Sequence, residues 1–66
     1  MQLNGHTVTL TQPLTLQQLL QQQGFDPARV AVELNGVIVS RSKFDSVLIS
    51  DDAATTIEVL QFVGGG

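Results

Sequence analysis

Asn-Gly occurs twice in this chain, at Asn4-Gly5 and Asn35-Gly36, each time between apolar or β-branched residues. A two-residue hairpin turn whose twist matches its strands needs positive φ at both central positions. Glycine adopts that conformation freely, and asparagine tolerates it better than other residues with a Cβ. Each pair therefore predicts an antiparallel hairpin and, with it, a register. In the first, Leu3 stands opposite His6 and Met1 opposite Val8, so Met1, Leu3, His6, Val8 and Leu10 share one face. Gln2, Thr7, Thr9 and Thr11 take the wet face. In the second, Val30, Val32, Leu34, Val37 and Val39 form the inward set.

Between the hairpins the period changes. Leu16, Leu19 and Leu20 recur at helical spacing, and Gln17, Gln18, Gln21, Gln22 and Gln23 fill the opposite side. This predicts one amphipathic helix with a solvated face of good helix formers. Thr15 is placed to cap it, Gln18 completes a capping box, and Gly24 supplies a left-handed residue to end it. Phe25-Asp26-Pro27 is a connecting turn. The stretch from Ser40 to Ser46 reads as a loop with a short helical turn that buries Phe44. Val47-Leu48-Ile49 is a brief extended piece and Ser50-Asp51-Asp52 a turn. The run from Thr55 to Val63 is the longest β-prone segment and predicts a central strand. Hairpin, helix, hairpin and strand, joined by a right-handed crossover, lay the leucine face across one side of a mixed sheet of four to five strands. The expected fold class is α+β, a ubiquitin-like β-grasp, with a single domain over residues 1–63 and a flexible glycine tail over 64–66. The other face of the sheet has no layer to cover it.

Composition narrows the function. A chain of 66 residues buries only about 60% of the surface its unfolded form exposes, which leaves little room for a substrate cavity. Three basic residues against six acidic ones provide no basic footprint for nucleic acid or an anionic membrane. The absence of cysteine removes disulfides, thiolate metal sites and thiol nucleophiles together. No apolar run approaches the roughly 20 residues of a spanning helix, and the N-terminus lacks a basic stretch leading into an apolar one, so cytoplasmic residence is expected. His6 is the only imidazole, and its neighbours are not ligands. The serines lack a base held by a third group. Asp51 and Asp52 are adjacent rather than spaced as a calcium loop requires. Arg41 and Lys43 read as solvated loop cations. No residue is marked as catalytic or metal-binding, and the chain reads as a co-substrate for another protein's chemistry.

The remaining feature is Gly64, Gly65 and Gly66, which follow the strongest strand and join nothing to anything. Their functional reading makes the carboxylate of Gly66 the reactive group. To activate it, an enzyme must bring it to the α-phosphate of ATP, expel pyrophosphate and let a nucleophile reach the acyl carbon. A tail without Cβ atoms can enter a narrow channel and places its carboxylate roughly 10 Å beyond the folded body. In the last strand, Ile57 and Val59 point inward if Glu58 faces water, which sends Leu60 and Phe62 outward. Ile38 and Ala31 join that outer face if the second turn has two residues, whereas a three-residue loop would send Ile38 inward. Leu60, Phe62, Val63 and Ile38 thus define a docking patch beside the tail, and the net charge of −3 favours a partner groove richer in lysine and arginine.

Val32-Glu33-Leu34-Asn35-Gly36 leading to Val39-Ser40-Arg41, with the ending Phe62-Val63-Gly64-Gly65-Gly66, resembles the ThiS family, the sulfur carriers of thiamine thiazole biosynthesis. The resemblance covers essentially the whole chain. The family often has proline where this chain has Ser40, and an Asp-Gly-Asp turn where it has Asp51-Asp52-Ala53. The resemblance implies that an E1-like enzyme adenylates Gly66 with its own ATP and magnesium, the carrier binding no cofactor. A sulfur donor, such as a cysteine desulfurase or a persulfide protein, then displaces AMP, and the thiocarboxylate supplies thiazole synthase. The small subunit of molybdopterin synthase and ubiquitin-like modifiers share the glycine ending, and a noncovalent interaction module with a loose end remains a further reading.

Overall fold

In the computed structural model, which describes residues 1–62, the strands are β1 (Gln2–Leu3), β2 (His6–Thr7), β3 (Leu14–Thr15), β4 (Val30–Leu34), β5 (Val37–Val39), β6 (Leu48–Ile49) and β7 (Thr56–Gln61). One helix, α1 (Leu16–Gln22), follows β3 directly. Five strands form a mixed sheet in the order β2-β1-β7-β4-β5, in which β1 and β7 run parallel and the other neighbours antiparallel. This is the β-grasp arrangement, with the longest β-prone run at its centre.

Both Asn-Gly pairs make the expected turns. Asn4 and Gly5 have φ of 51° and 80°, Asn35 and Gly36 50° and 83°, and the flanking pairs are Leu3 with His6 and Leu34 with Val37.

The helix has seven residues, too few to be stable alone in water, so its ends and its packing must hold it. The Thr15 hydroxyl accepts from the Gln18 backbone N–H at 3.1 Å, and the Gln18 side chain accepts from the Thr15 N–H at 2.9 Å. The Leu16 and Gln17 N–H groups donate to the Val47 and Phe44 carbonyls at 2.8 and 2.9 Å. Loop carbonyls thus satisfy donors that every helix start leaves unpaired. Gly24, at φ 87°, follows the cap at Gln23.

Leu16, Leu19 and Leu20 are fully enclosed; burying each contributes on the order of 1.5–3 kcal/mol. They meet Met1, Leu3, Val30, Val32, Phe44, Ile49, Ile57 and Val59 in one cluster. Phe44 is buried behind a 3₁₀ turn at Arg41–Lys43, as the sequence pattern implied. A second ladder pairs Leu14 with Ile49 and Thr15 with Leu48. It closes the helix entrance, and the sequence pattern left Leu14 and Thr15 outside any strand.

One inward assignment needs correction. Val37 has the inward parity but is 68% exposed. It lies beside the turn on an edge strand, beyond what the short helix covers, while Val39 and Leu34 are half-buried. His6 is exposed for a similar reason, since β2 is the opposite edge of the sheet.

The Met1 ammonium and the loop before β7 are joined by Asp51. One carboxylate oxygen lies 2.9 Å from the ammonium, and the other accepts from the Leu10 N–H at 3.2 Å. The hydrogen bond from the ammonium, followed by that from Leu10, holds the Asp51 carboxyl below its ordinary range.

Candidate functional site

β7 runs to Gln61, one residue short of the last described position. Its register with β4 pairs Val30 with Gln61, Ala31 with Leu60, Val32 with Val59 and Glu33 with Glu58. Alternation therefore buries Ile57 and Val59 against the helix and turns Glu58 and Leu60 to the opposite face. Glu33 pairs with Ile38 on its other side, so Ile38 also lies on that outer face. Ile38, Leu60 and Phe62 are 76%, 60% and 56% exposed. An apolar stretch this open, on a sheet face that no layer covers among the described residues, suits a protein contact.

Leu60, Phe62 and Ile38 thus lie among the exposed residues, with Leu60 and Phe62 at the end of β7. Val63, Gly64, Gly65 and Gly66, the rest of the site expected from sequence, lie outside the described residues. The last described contact is the Phe62 N–H donating to the Arg29 carbonyl at 2.9 Å. It carries the β7–β4 pairing one residue past the strand and fixes the point of departure beside Arg29.

Two asparagines brace this strand in ways the sequence pattern does not reveal. The Asn4 carboxamide accepts from the Val59 N–H at 2.7 Å and donates to the Val59 carbonyl at 3.2 Å. A side chain thereby substitutes for a neighbouring strand where β1 has ended. The Asn35 carboxamide oxygen accepts from the Thr56 N–H at 2.9 Å, while the Asn35 N–H donates to the Thr56 carbonyl at 2.8 Å. Each turn asparagine therefore has a second task, and both converge on the strand that bears the tail. The Asn4 bonds span 55 positions, so no local pattern could have revealed them.

Charges on the outer face are unbalanced. Glu33 and Glu58 stand directly opposite each other, an arrangement that costs stability when unrelieved. Among the described residues neither takes part in an ion pair. At the tail end, Arg29 lies 3.7 Å from Asp26 in an exposed contact of little energetic worth, and an Arg41 guanidinium nitrogen donates to the Val30 carbonyl at 3.4 Å. Among the described residues no group of His, Cys, Asp or Glu could hold a metal ion, and no helix is long and apolar enough to cross a membrane.

A mixed five-stranded sheet with one helix on one face, and among the described residues no layer on the other, defines the ubiquitin-like β-grasp class of proteins. The family follows from comparison. Residues 1–66 match the model of the ThiS family. A crystal structure of the thiamine biosynthesis protein ThiS from Geobacter metallireducens superposes with a TM-score of 0.73 at 34% identity, covering 98% of this chain and 96% of that one. A thiazole synthase of Magnetococcus marinus is 42% identical over 64 residues, which are 97% of this chain but only 19% of that protein. An uncharacterized protein, ycf40, of Pyropia yezoensis is 38% identical over 65 residues, 98% of this chain and 89% of that protein. The chain belongs to the ThiS family, the sulfur carriers of thiamine biosynthesis.

Proposed function

We propose that the chain carries sulfur as a thiocarboxylate on Gly66. A carboxylate oxygen of Gly66 attacks the α-phosphorus of ATP in an E1-like enzyme, which supplies the magnesium, and pyrophosphate leaves. The terminal sulfur of a persulfide donor then attacks the acyl carbon and displaces AMP. A thiol cleaves the resulting S–S bond, becoming part of a disulfide and leaving the thiocarboxylate, whose sulfur passes to thiazole synthase. In this scheme the folded body is the handle: Leu60, Phe62, Val63 and Ile38 dock, and Gly64, Gly65 and Gly66 thread the partner's channel.

The observation that carries this reading is the ThiS family match over residues 1–66. It is supported by the exposure of Leu60 and Phe62, with only Val63 between Phe62 and the glycines, and by the similarity to a segment of a thiazole synthase, which favours that enzyme as recipient. The test incubates the chain with an E1-like adenylating enzyme, magnesium ATP and a persulfide donor. The expected result is a C-terminal peptide in which sulfur replaces one oxygen, and no product when Gly66 is removed. Conjugation to lysines of other proteins, or a product that survives loss of Gly66, would overturn the reading.

A further inference from the structure

Of the chain's three basic side chains, two stand where the tail departs. Arg29 provides the carbonyl that receives the Phe62 N–H, and Arg41, two positions beyond the end of β5, reaches the first carbonyl of β4. At 3.4 Å that bond is long, and among the described residues Arg41 meets no carboxylate. Arg41 also lines an open hollow of about 310 Å³ with Gln17, Gln21, Asp26, Pro27 and Ala28. The acid in that hollow is already engaged. One Asp26 oxygen accepts from the Ala28 N–H at 2.9 Å and the other lies 3.7 Å from Arg29. Gln17 and Gln21, one helical turn apart, lie on the same side of α1. A guanidinium beside carboxamide donors, in a hollow open to solvent, matches the planar, two-oxygen geometry of a carboxylate.

The geometry points to a socket for an acidic side chain of the adenylating partner: Arg41, flanked by Gln17 and Gln21, binds an Asp or Glu at the mouth of the channel that admits the tail. This rests on the function proposed above and adds a specificity-determining contact to it. Distance separates the socket from the chemistry. Residues 63–66 can carry the reacting carbonyl as far as about 13–14 Å from Phe62. Arg41 follows an edge strand two ladder steps from β7, about 10 Å to the side. The guanidinium therefore touches the partner's rim, and its loss weakens association without slowing the reaction of the bound complex. The chain's overall acidity asks for a basic groove; the socket asks for an acid at one place within it, and that opposition fixes orientation.

The experiment measures the Kd of the adenylating enzyme and the rate of adenylate formation at saturating enzyme, for the intact chain and for Arg41→Gln, Arg41→Lys and Gln17→Glu. Arg41→Gln is expected to raise Kd about tenfold with the saturating rate unchanged, and Arg41→Lys to fall between, since it keeps the charge and loses the fork. Gln17→Glu leaves Arg41 in place and fills the socket with the chain's own carboxylate, so it too weakens binding. That variant keeps the test valid if Arg41→Gln fails to fold. Unchanged Kd in both variants overturns the socket, as does an unchanged Kd with a lowered saturating rate, which would assign the guanidinium to the nucleotide phosphates. An intact chain that the enzyme neither binds nor adenylates overturns the proposed function instead.

Discussion

The two faces of the central sheet are built from alternate residues of the same strands, yet they face opposite demands. On the helix side, Val30, Val32, Ile57 and Val59 are at most 6% exposed. On the other, Ile38, Leu60 and Phe62 keep more than half their surface in water, with Glu33 and Glu58 opposed among them. The hydrophobic effect alone would cover both faces. Among the described residues one α-helix packs on the sheet, and it covers the side that makes the core. What the difference teaches is a division of labour at single-residue resolution, in which Ile57 and Val59 hold the fold while Leu60 and Phe62 remain available to another protein.

The strongest way to break this comparison is on the inner face. Ile57→Ala should destabilise the chain by about 2–5 kcal/mol, because a fully enclosed side chain leaves a cavity, and chemical denaturation would read it. A loss as small as that of a surface substitution would mean the core does not rest on β7. Next comes the brace that holds β7 in register. Asn4→Gly keeps the positive φ but removes both bonds to Val59; a loss of about 1–3 kcal/mol is expected, since Val59 then has unpaired backbone groups in a partly buried place. Equal stability would show that water replaces the carboxamide.

Asp51 sharpens the comparison through pH. Its folded carboxyl is held below the unfolded value, so its contribution is fully present above the unfolded pKa and lost as pH falls through the folded one. Intact chain should be more stable than Asp51→Asn at neutral pH, and the difference should vanish in acid; a gap that persists there would rule out the ammonium contact as its source. On the outer face, Phe62→Ala should change stability by no more than about 0.5 kcal/mol while weakening the adenylating enzyme's hold; melting and binding measured on one sample would separate the two. The smallest effect expected is a gain. Glu58→Gln relieves the opposition to Glu33 and should stabilise the chain by a few tenths of a kcal/mol; a loss would mean that Glu58 has a favourable partner.

Much of this was legible locally. The Asn-Gly pairs specify positive φ, so turns and hairpin register follow from two residues each. Leucine spacing, Thr15 and Gln18 specify the helix and its start because capping is decided within one turn. Outward placement of Leu60 follows from period two alone. Other features were not legible, for reasons particular to each. Val37 has the right parity for burial, but parity names a face, and only the length and position of α1 decide whether that face is covered there. The β3–β6 ladder joins Leu14 to Ile49, and such a two-residue pairing carries no periodicity to detect. Arg41 reads as a solvated loop cation and is exposed; its place two ladder steps from the end of β7 emerges only when β5 returns the chain to the end of the sheet where β7 finishes.

By itself, the sequence determined where this chain turns, where it coils into a helix and which residues alternate on each strand, because these rest on interactions between residues close along the chain. Tertiary structure alone decided which faces are covered, which carboxamides brace β7 and which charges share a hollow beside α1. Those depend on contacts across dozens of positions, whose partners are chosen by the packing of the whole domain rather than by any local preference.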